Sequence, residues 1–206
     1  MDRTTESHSH TIIFILGPPG SGKGTLCKLA TSKLETPSHR YLHLSVGDYL
    51  REVCDPAAPR EVMSFDYTKI RDHLRESKLL PADVLIPLLQ HKIDSVTNEK
   101  SATTTWLIDG FPRNMETALA FEQNVGKPAK VITLECKSDT AKGRFLKRGR
   151  EKVDDENRFD KRYGEYVTNM KRIREHYAGI MDAVHVDGDQ AECLDEFMAT
   201  LQRASS

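Results

Sequence analysis

The stretch Ile12-Ile13-Phe14-Ile15-Leu16-Gly17-Pro18-Pro19-Gly20-Ser21-Gly22-Lys23-Gly24-Thr25 decides how this chain is read. Its apolar opening, rich in β-favouring residues, predicts a buried strand. A glycine-rich turn follows, and the pattern then predicts a helix from Gly24 to Leu34. Gly17, Gly22 and Lys23 fit the phosphate-loop spacing of glycine, four residues, glycine, lysine. Gly20 and Gly22 let the backbone curl so that several N–H groups point at one anion with no Cβ in the way. The helix N-terminus adds partial positive charge. Lys23 supplies a mobile ammonium that can follow a phosphate in transfer. Gly20, Ser21, Gly22, Lys23, Gly24 and Thr25 are therefore the expected phosphate-binding residues.

Working outward, 206 residues predict one domain with a full core and small insertions. A net charge of −1 leaves no global positive field for nucleic acid, so an anion site must be a local cluster of basic residues. Cys27, Cys54, Cys136 and Cys193 are scattered without a Cys-x-x-Cys pair, which reads as free thiols in a reducing compartment. No apolar run reaches the length of a membrane span. Met1 to His10 is polar and carries Asp2 and Glu6; it reads as a disordered leader, not a signal or transit peptide. Residues 11–206 are expected to form the single domain. The expected location is the cytoplasm, with access to the nucleus, and a monomer is expected.

Along the chain, Tyr41 to Leu44 predicts a short strand, and Ser45, with Asp48 three places on, predicts a capped helix start. Asp55-Pro56-Ala57-Ala58-Pro59 breaks that helix. Helices are predicted over Tyr67 to Glu76 and over Ala82 to Val96, the latter with Leu85, Leu88, Leu89 and Ile93 on one stripe. Thr103 to Ile108 predicts a second buried strand, ending in Asp109-Gly110-Phe111-Pro112-Arg113. A helix from Asn114 to Gln123, a strand over Val131 to Leu134 and a helix from Ser138 to about Arg148 follow. After a charged segment, Gly149 to Asn157, a long helix is predicted over about Arg158 to Met181. Val184 to Val186 predicts a last strand, and Ala191 to Leu201 the closing helix. Strands alternating with helices predict a parallel sheet covered on both faces, with ligands at the carboxyl ends of the strands.

Asp109 ends an apolar strand, where an acidic partner of a phosphate loop can hold Mg²⁺ through water while Lys23 and the ion neutralise phosphates. The arginines matter by placement. Arg51 ends a helical stretch, Arg113 follows a Phe-Pro turn, Arg148, Arg150 and Lys152 flank or enter the charged segment, and Arg158 and Arg162 are i, i+4 on one helix face. Joining two nucleotides means offsetting about six negative charges, which such sites meet with Mg²⁺, Lys and several Arg. The guanidinium fork suits phosphate oxygens.

These motifs resemble the nucleoside monophosphate kinases, the adenylate and UMP/CMP kinase family. Gly24 after Lys23 matches that family and differs from GTPases and motor ATPases, and the guanine reader Asn-Lys-x-Asp is missing. Leu44 to Arg51 resembles the monophosphate-binding helix, Ile108 to Arg113 the second signature, Leu79-Leu80-Pro81 with Val84 the segment over the nucleoside, and Leu146 to Arg162 the lid in its short form. The resemblance implies an α/β fold, a P-loop NTPase-type parallel β-sheet flanked by helices, with a helical insert for the monophosphate at about 45–80 and a short lid at about 149–158. It implies that Ser45, Arg51, Leu80, Gly110, Arg113, Thr117, Lys152 and Arg162 bind the monophosphate. It implies that Arg148 and Arg162 reach the transferring group, with Lys23 and Arg113 completing the catalytic set, and that Gln190 lies by the donor adenine.

Three features depart from the family. The lid is about two residues short, and Glu151-Lys152 stands where the family has Gly-Arg before Val153-Asp154-Asp155; Arg150 or Lys152 is left for that role. Thr117 replaces the Gln of AMP enzymes and the Asn of UMP/CMP enzymes. Val46 cannot donate a hydrogen bond, which leans away from AMP. The expected function is transfer of the γ-phosphoryl of MgATP to UMP or CMP. An AMP acceptor, or a nucleotide-binding module with weak turnover, is the alternative. Asp55 to Asp66 reads as an elongated loop in the insert.

Overall fold

The structure, a computed structural model, describes residues 10–57, 65–97, 103–148 and 155–204. Its elements follow the chain as β1 (His10–Leu16), α1 (Lys23–Leu34), β2 (His39–Ser45), α2 (Val46–Val53), α3 (Tyr67–Arg75), α4 (Ala82–Thr97), β3 (Thr103–Asp109), α5 (Met115–Asn124), β4 (Lys130–Glu135), α6 (Ser138–Arg148), α7 (Glu156–His176), β5 (Met181–His185) and α8 (Gln190–Ala204). The strands form one all-parallel sheet in the order β2-β3-β1-β4-β5.

β1 is central, and Ile13, Phe14 and Ile15 are fully buried. Successive side chains point to opposite faces, so a continuous apolar strand needs cover on both. Ile12, Phe14 and Leu16 pack with Trp106 and Ile108 of β3 against α4, α5 and α7. Ile13 and Ile15 pack with Leu107, Ile132 and Leu134 against α1 and α8. The predicted stripe of Leu85, Leu88, Leu89 and Ile93 is buried on the first of these faces.

Local capping sets the helix starts. Ser45 accepts from the backbone N–H of Asp48, Asn114 from Thr117 and Asp155 from Arg158, each closing a helix N-terminus. The Asp155 cap starts α7 at Glu156, two residues ahead of the predicted start. Its end also differs. The helix stops at His176, and a 3₁₀ turn, Ala178–Ile180, leads directly into β5. That strand therefore begins at Met181, not at Val184, and pairs with β4 from Val131↔Met181 to Glu135↔His185. Its first residues alternate polar and apolar at the sheet edge, and Asp182 pairs with Lys130 at 2.7 Å, which hides the strand from an apolar-run criterion. β2 likewise extends back to His39 because its ladder with β3 runs from His39↔Thr103 to Ser45↔Asp109. No helix among the described residues is long and apolar enough to cross a membrane.

Candidate active site

The carboxyl ends of the strands open into one cleft of about 1030 Å³. Among the described residues it is lined by ten Lys or Arg side chains and only two carboxylates, Asp109 and Glu165. A chain of net charge −1 thus concentrates positive charge in one place, the local cluster that its composition requires.

The loop from Gly17 to Gly22 crosses the floor. Gly22 starts α1 by accepting at its carbonyl from the N–H groups of Thr25 and Leu26, both at 3.0 Å. Lys23 folds back on its own loop. Its ammonium donates to the carbonyls of Gly17 and Pro18, both at 2.9 Å, and to Ser21 Oγ at 3.2 Å. Burial lowers its pKa to about 8, Asp109 pulls the other way, and the guanidiniums of Arg113 and Arg162 lower it further. Gly24 and Thr25, on the first turn of α1, also line the cleft.

Asp109 ends β3 and is 7% exposed. Its Oδ2 lies 3.4 Å from His43 Nε2 on the neighbouring strand. Among the described residues no cluster of three or more His, Cys, Asp and Glu could hold a metal by itself. A lone carboxylate beside a phosphate loop is nevertheless the donor set that suits Mg²⁺, which keeps several waters and takes phosphate oxygens for the rest.

At one side of the cleft Arg51 and Arg113 converge. Terminal nitrogens of both stand within 3.6 to 3.8 Å of where a Cβ on Gly47 would lie, so the missing side chain leaves the space between two guanidiniums open. Arg113 is anchored by donation from Nε to the Gly110 carbonyl at 3.0 Å, and Arg51 by the Asp48 carboxylate. Surrounding protein lowers the Arg113 pKa, against the pull of Asp109 and then Glu165, although the side chain keeps a surface open to the cleft. Ser45, Val46, Leu80, Gly110 and Thr117 line this side. Thr117 is 3% exposed, and its hydroxyl donates to Asn114 Oδ1 at 2.8 Å. Its hydrogen is held within the helix cap, so toward a ligand the oxygen can only accept.

A second pair of arginines in the lining comes from α6 and α7. The guanidiniums of Arg148 and Arg162 lie 4.2 and 5.7 Å from the centre of the Phe145 ring. Phe145 in turn packs on Phe159, and Phe159 stacks on Tyr163. The ring positions two arginines from different helices. Gln190, at the start of α8, lines the far end.

The cleft therefore gathers the described site residues expected from the sequence. Lys152 and Arg150, like most of the expected lid, lie outside the described residues. The cleft also contains residues that the sequence reading passed over. Arg144 donates to the carbonyls of Val186 and Gly188, fixing the turn before Gln190, and Asp187 of that turn accepts from Lys137 N–H at 2.9 Å. The i, i+4 spacing of Arg144 to Arg148 was the available signal. Glu165, Asn114 and the basic residues Arg71, Arg75 and Lys78 of the insert reach the cleft through tertiary packing.

The sequence pattern of the family described as adenylate kinase matches residues 15–181. UMP-CMP kinase 3 of Oryza sativa subsp. japonica is 38% identical over 170 residues, covering 81% of this chain and 73% of the relative. UMP-CMP kinase of Lentinula edodes is 30% identical over 199 residues, covering 87% and 83%. Adenylate kinase isoenzyme 1 of Homo sapiens is 30% identical over 182 residues, covering 86% and 87%.

Proposed function

Because the chain belongs to the adenylate kinase family of nucleoside monophosphate kinases, we propose that it moves the γ-phosphoryl of MgATP to UMP or CMP, giving ADP and the nucleoside diphosphate. The observation that carries this reading is the gathering of two arginine pairs and a lysine in the lining of one cleft. Arg51 and Arg113 converge at Gly47, Arg148 and Arg162 meet at the Phe145 ring, and Lys23 follows the phosphate loop.

The acceptor phosphate oxygen is itself the nucleophile, so no general base is needed. Catalysis is positioning and charge neutralisation. The loop N–H groups and Lys23 hold the donor phosphates. Arg51 and Arg113 hold the acceptor phosphate through the fork geometry of guanidinium. Arg148 and Arg162 meet the charge on the group in transfer. Gln190 and the turn fixed by Arg144 border the donor base. Asp109 is the residue that would hold a Mg²⁺ bound with ATP, and the ion would add to the neutralisation of the phosphates. The short lid expected at about 149–158 has the role of excluding water from the phosphoryl group.

The acceptor base is read between Val46, Leu80 and Thr117. The apolar Val46 side chain, which offers no donor to the base, and the UMP-CMP kinase relatives support a pyrimidine, whose N–H the accepting oxygen of Thr117 can take. An AMP acceptor is the second reading, supported by the adenylate kinase relative. Lys23→Ala and Arg113→Ala test the transfer itself. Each is expected to lower kcat for monophosphate-dependent ADP release by about 100-fold or more. Near-normal turnover in both contradicts the proposal.

A further inference from the structure

We propose that Arg158, in the first turn of α7, is a further phosphate-binding residue of the transfer site. This rests on the phosphoryl-transfer reading above. By the family resemblance an arginine is expected where this chain has Lys152, and an ammonium there lacks the fork. The fold offers a replacement one turn before Arg162. Asp155 caps α7 by accepting from the Arg158 N–H at 2.8 Å, which fixes the backbone of Arg158 in the first turn. The next residue, Phe159, is 1% exposed and locked against Phe145 and Tyr163. With Phe159 and Tyr163 turned into that aromatic cluster, Arg158 and Arg162 share the adjacent face, and both line the cleft.

The rotation of α7 is thus set by buried rings, and the two guanidiniums follow from it. As i and i+4 residues their Cβ atoms are about 6 Å apart, a placement from which both forks can reach neighbouring phosphate groups of one polyphosphate. Arg148 reaches the same region from α6 over the Phe145 ring. Arg158 completes a triad of guanidiniums carried by α6 and α7.

The test compares Arg158→Met and Arg158→Lys with the parent enzyme, measuring kcat, KM for ATP and for the acceptor, and thermal midpoint. Methionine keeps the apolar stem and removes the charge. The expected result is a fall in kcat of about tenfold or more for Arg158→Met. The acceptor KM stays within about twofold and the thermal midpoint does not move. Arg158→Lys recovers only part of the rate, because an ammonium lacks the fork. A kcat for Arg158→Met within twofold of the parent overturns the inference. So does a loss of rate that tracks a lowered thermal midpoint and is fully restored by lysine. A parent enzyme without monophosphate-dependent turnover contradicts the underlying reading instead, so the two failures are distinguishable.

Discussion

A Cβ placed on Gly20 would lie 2.0 Å from the carbonyl oxygen of Ala141, so the phosphate loop and the first turn of α6 are in direct backbone contact. Gly20 also has φ +84, where L side chains are strained. The neighbour is backbone and cannot swing aside. Gly20→Ala is therefore expected to cost about 3 kcal/mol or more, from overpacking together with left-handed strain. Because α6 carries Arg144 and Arg148, ATP binding is expected to weaken with it. Denaturant titration and calorimetric ATP binding check both parts; an unchanged midpoint contradicts the packing account.

The depressed Lys23 pKa predicts a pH dependence. The charged ammonium is the form that binds phosphate, and in the free enzyme it is lost as pH rises through about 8, well below an ordinary lysine. The value of kcat/KM for ATP, which reports free enzyme, is expected to decline above pH 8. Bound phosphates stabilise the ammonium, so kcat at saturating ATP should hold to higher pH. A kcat/KM profile flat to pH 9.5 would show that burial does not control this lysine.

Phe145 offers a way to disturb two arginines without touching their charges. Phe145→Leu keeps an apolar group in the cluster with Phe159 but removes the ring beneath Arg148 and Arg162. Stability is expected to fall by about 1 to 1.5 kcal/mol, as for other near-isosteric core changes. The kcat is expected to fall several-fold while KM for the acceptor changes little, since Arg51 and Arg113 stand elsewhere. Steady-state kinetics alongside urea unfolding separates the two effects.

Ser77 has φ +53, the left-handed region, in the turn that follows α3. A non-glycine residue there costs about 1 to 2 kcal/mol, and glycine returns part of this through its freer unfolded chain. Ser77→Gly is expected to raise stability by about 0.5 kcal/mol with little change in kcat. A lower urea midpoint would count against it.

Much of this fold can be read in the chain because local and global signals agree. Ile12 to Thr25 shows a buried strand, a glycine turn and a lysine-led helix in one run, and the structure realises it as β1, the loop and α1. Ser45 and Asn114 announce helix starts through their own side chains. What escaped reading is set by partners far along the chain. Met181 joins the sheet because β4 lies beside it, not because its neighbours are apolar. Glu165 and Arg71 reach the cleft through the packing of α7 and α3, and a helix pattern alone does not say which charged residues of a face meet a ligand. Beyond its spacing to Arg148, nothing in the sequence singles out Arg144, which braces the Val186–Gly188 turn because the fold brings α6 beside it.

The most direct measurement is ADP release from MgATP with UMP, CMP, dCMP and AMP offered separately, followed by identification of the diphosphate product. The account predicts release that requires the monophosphate, conversion of UMP or CMP to its diphosphate, and a kcat/KM for the better pyrimidine at least about tenfold above AMP, the discrimination expected from about 1.4 kcal/mol of differential binding. Tight ATP binding with no monophosphate-dependent release, or AMP as the best acceptor, would contradict it.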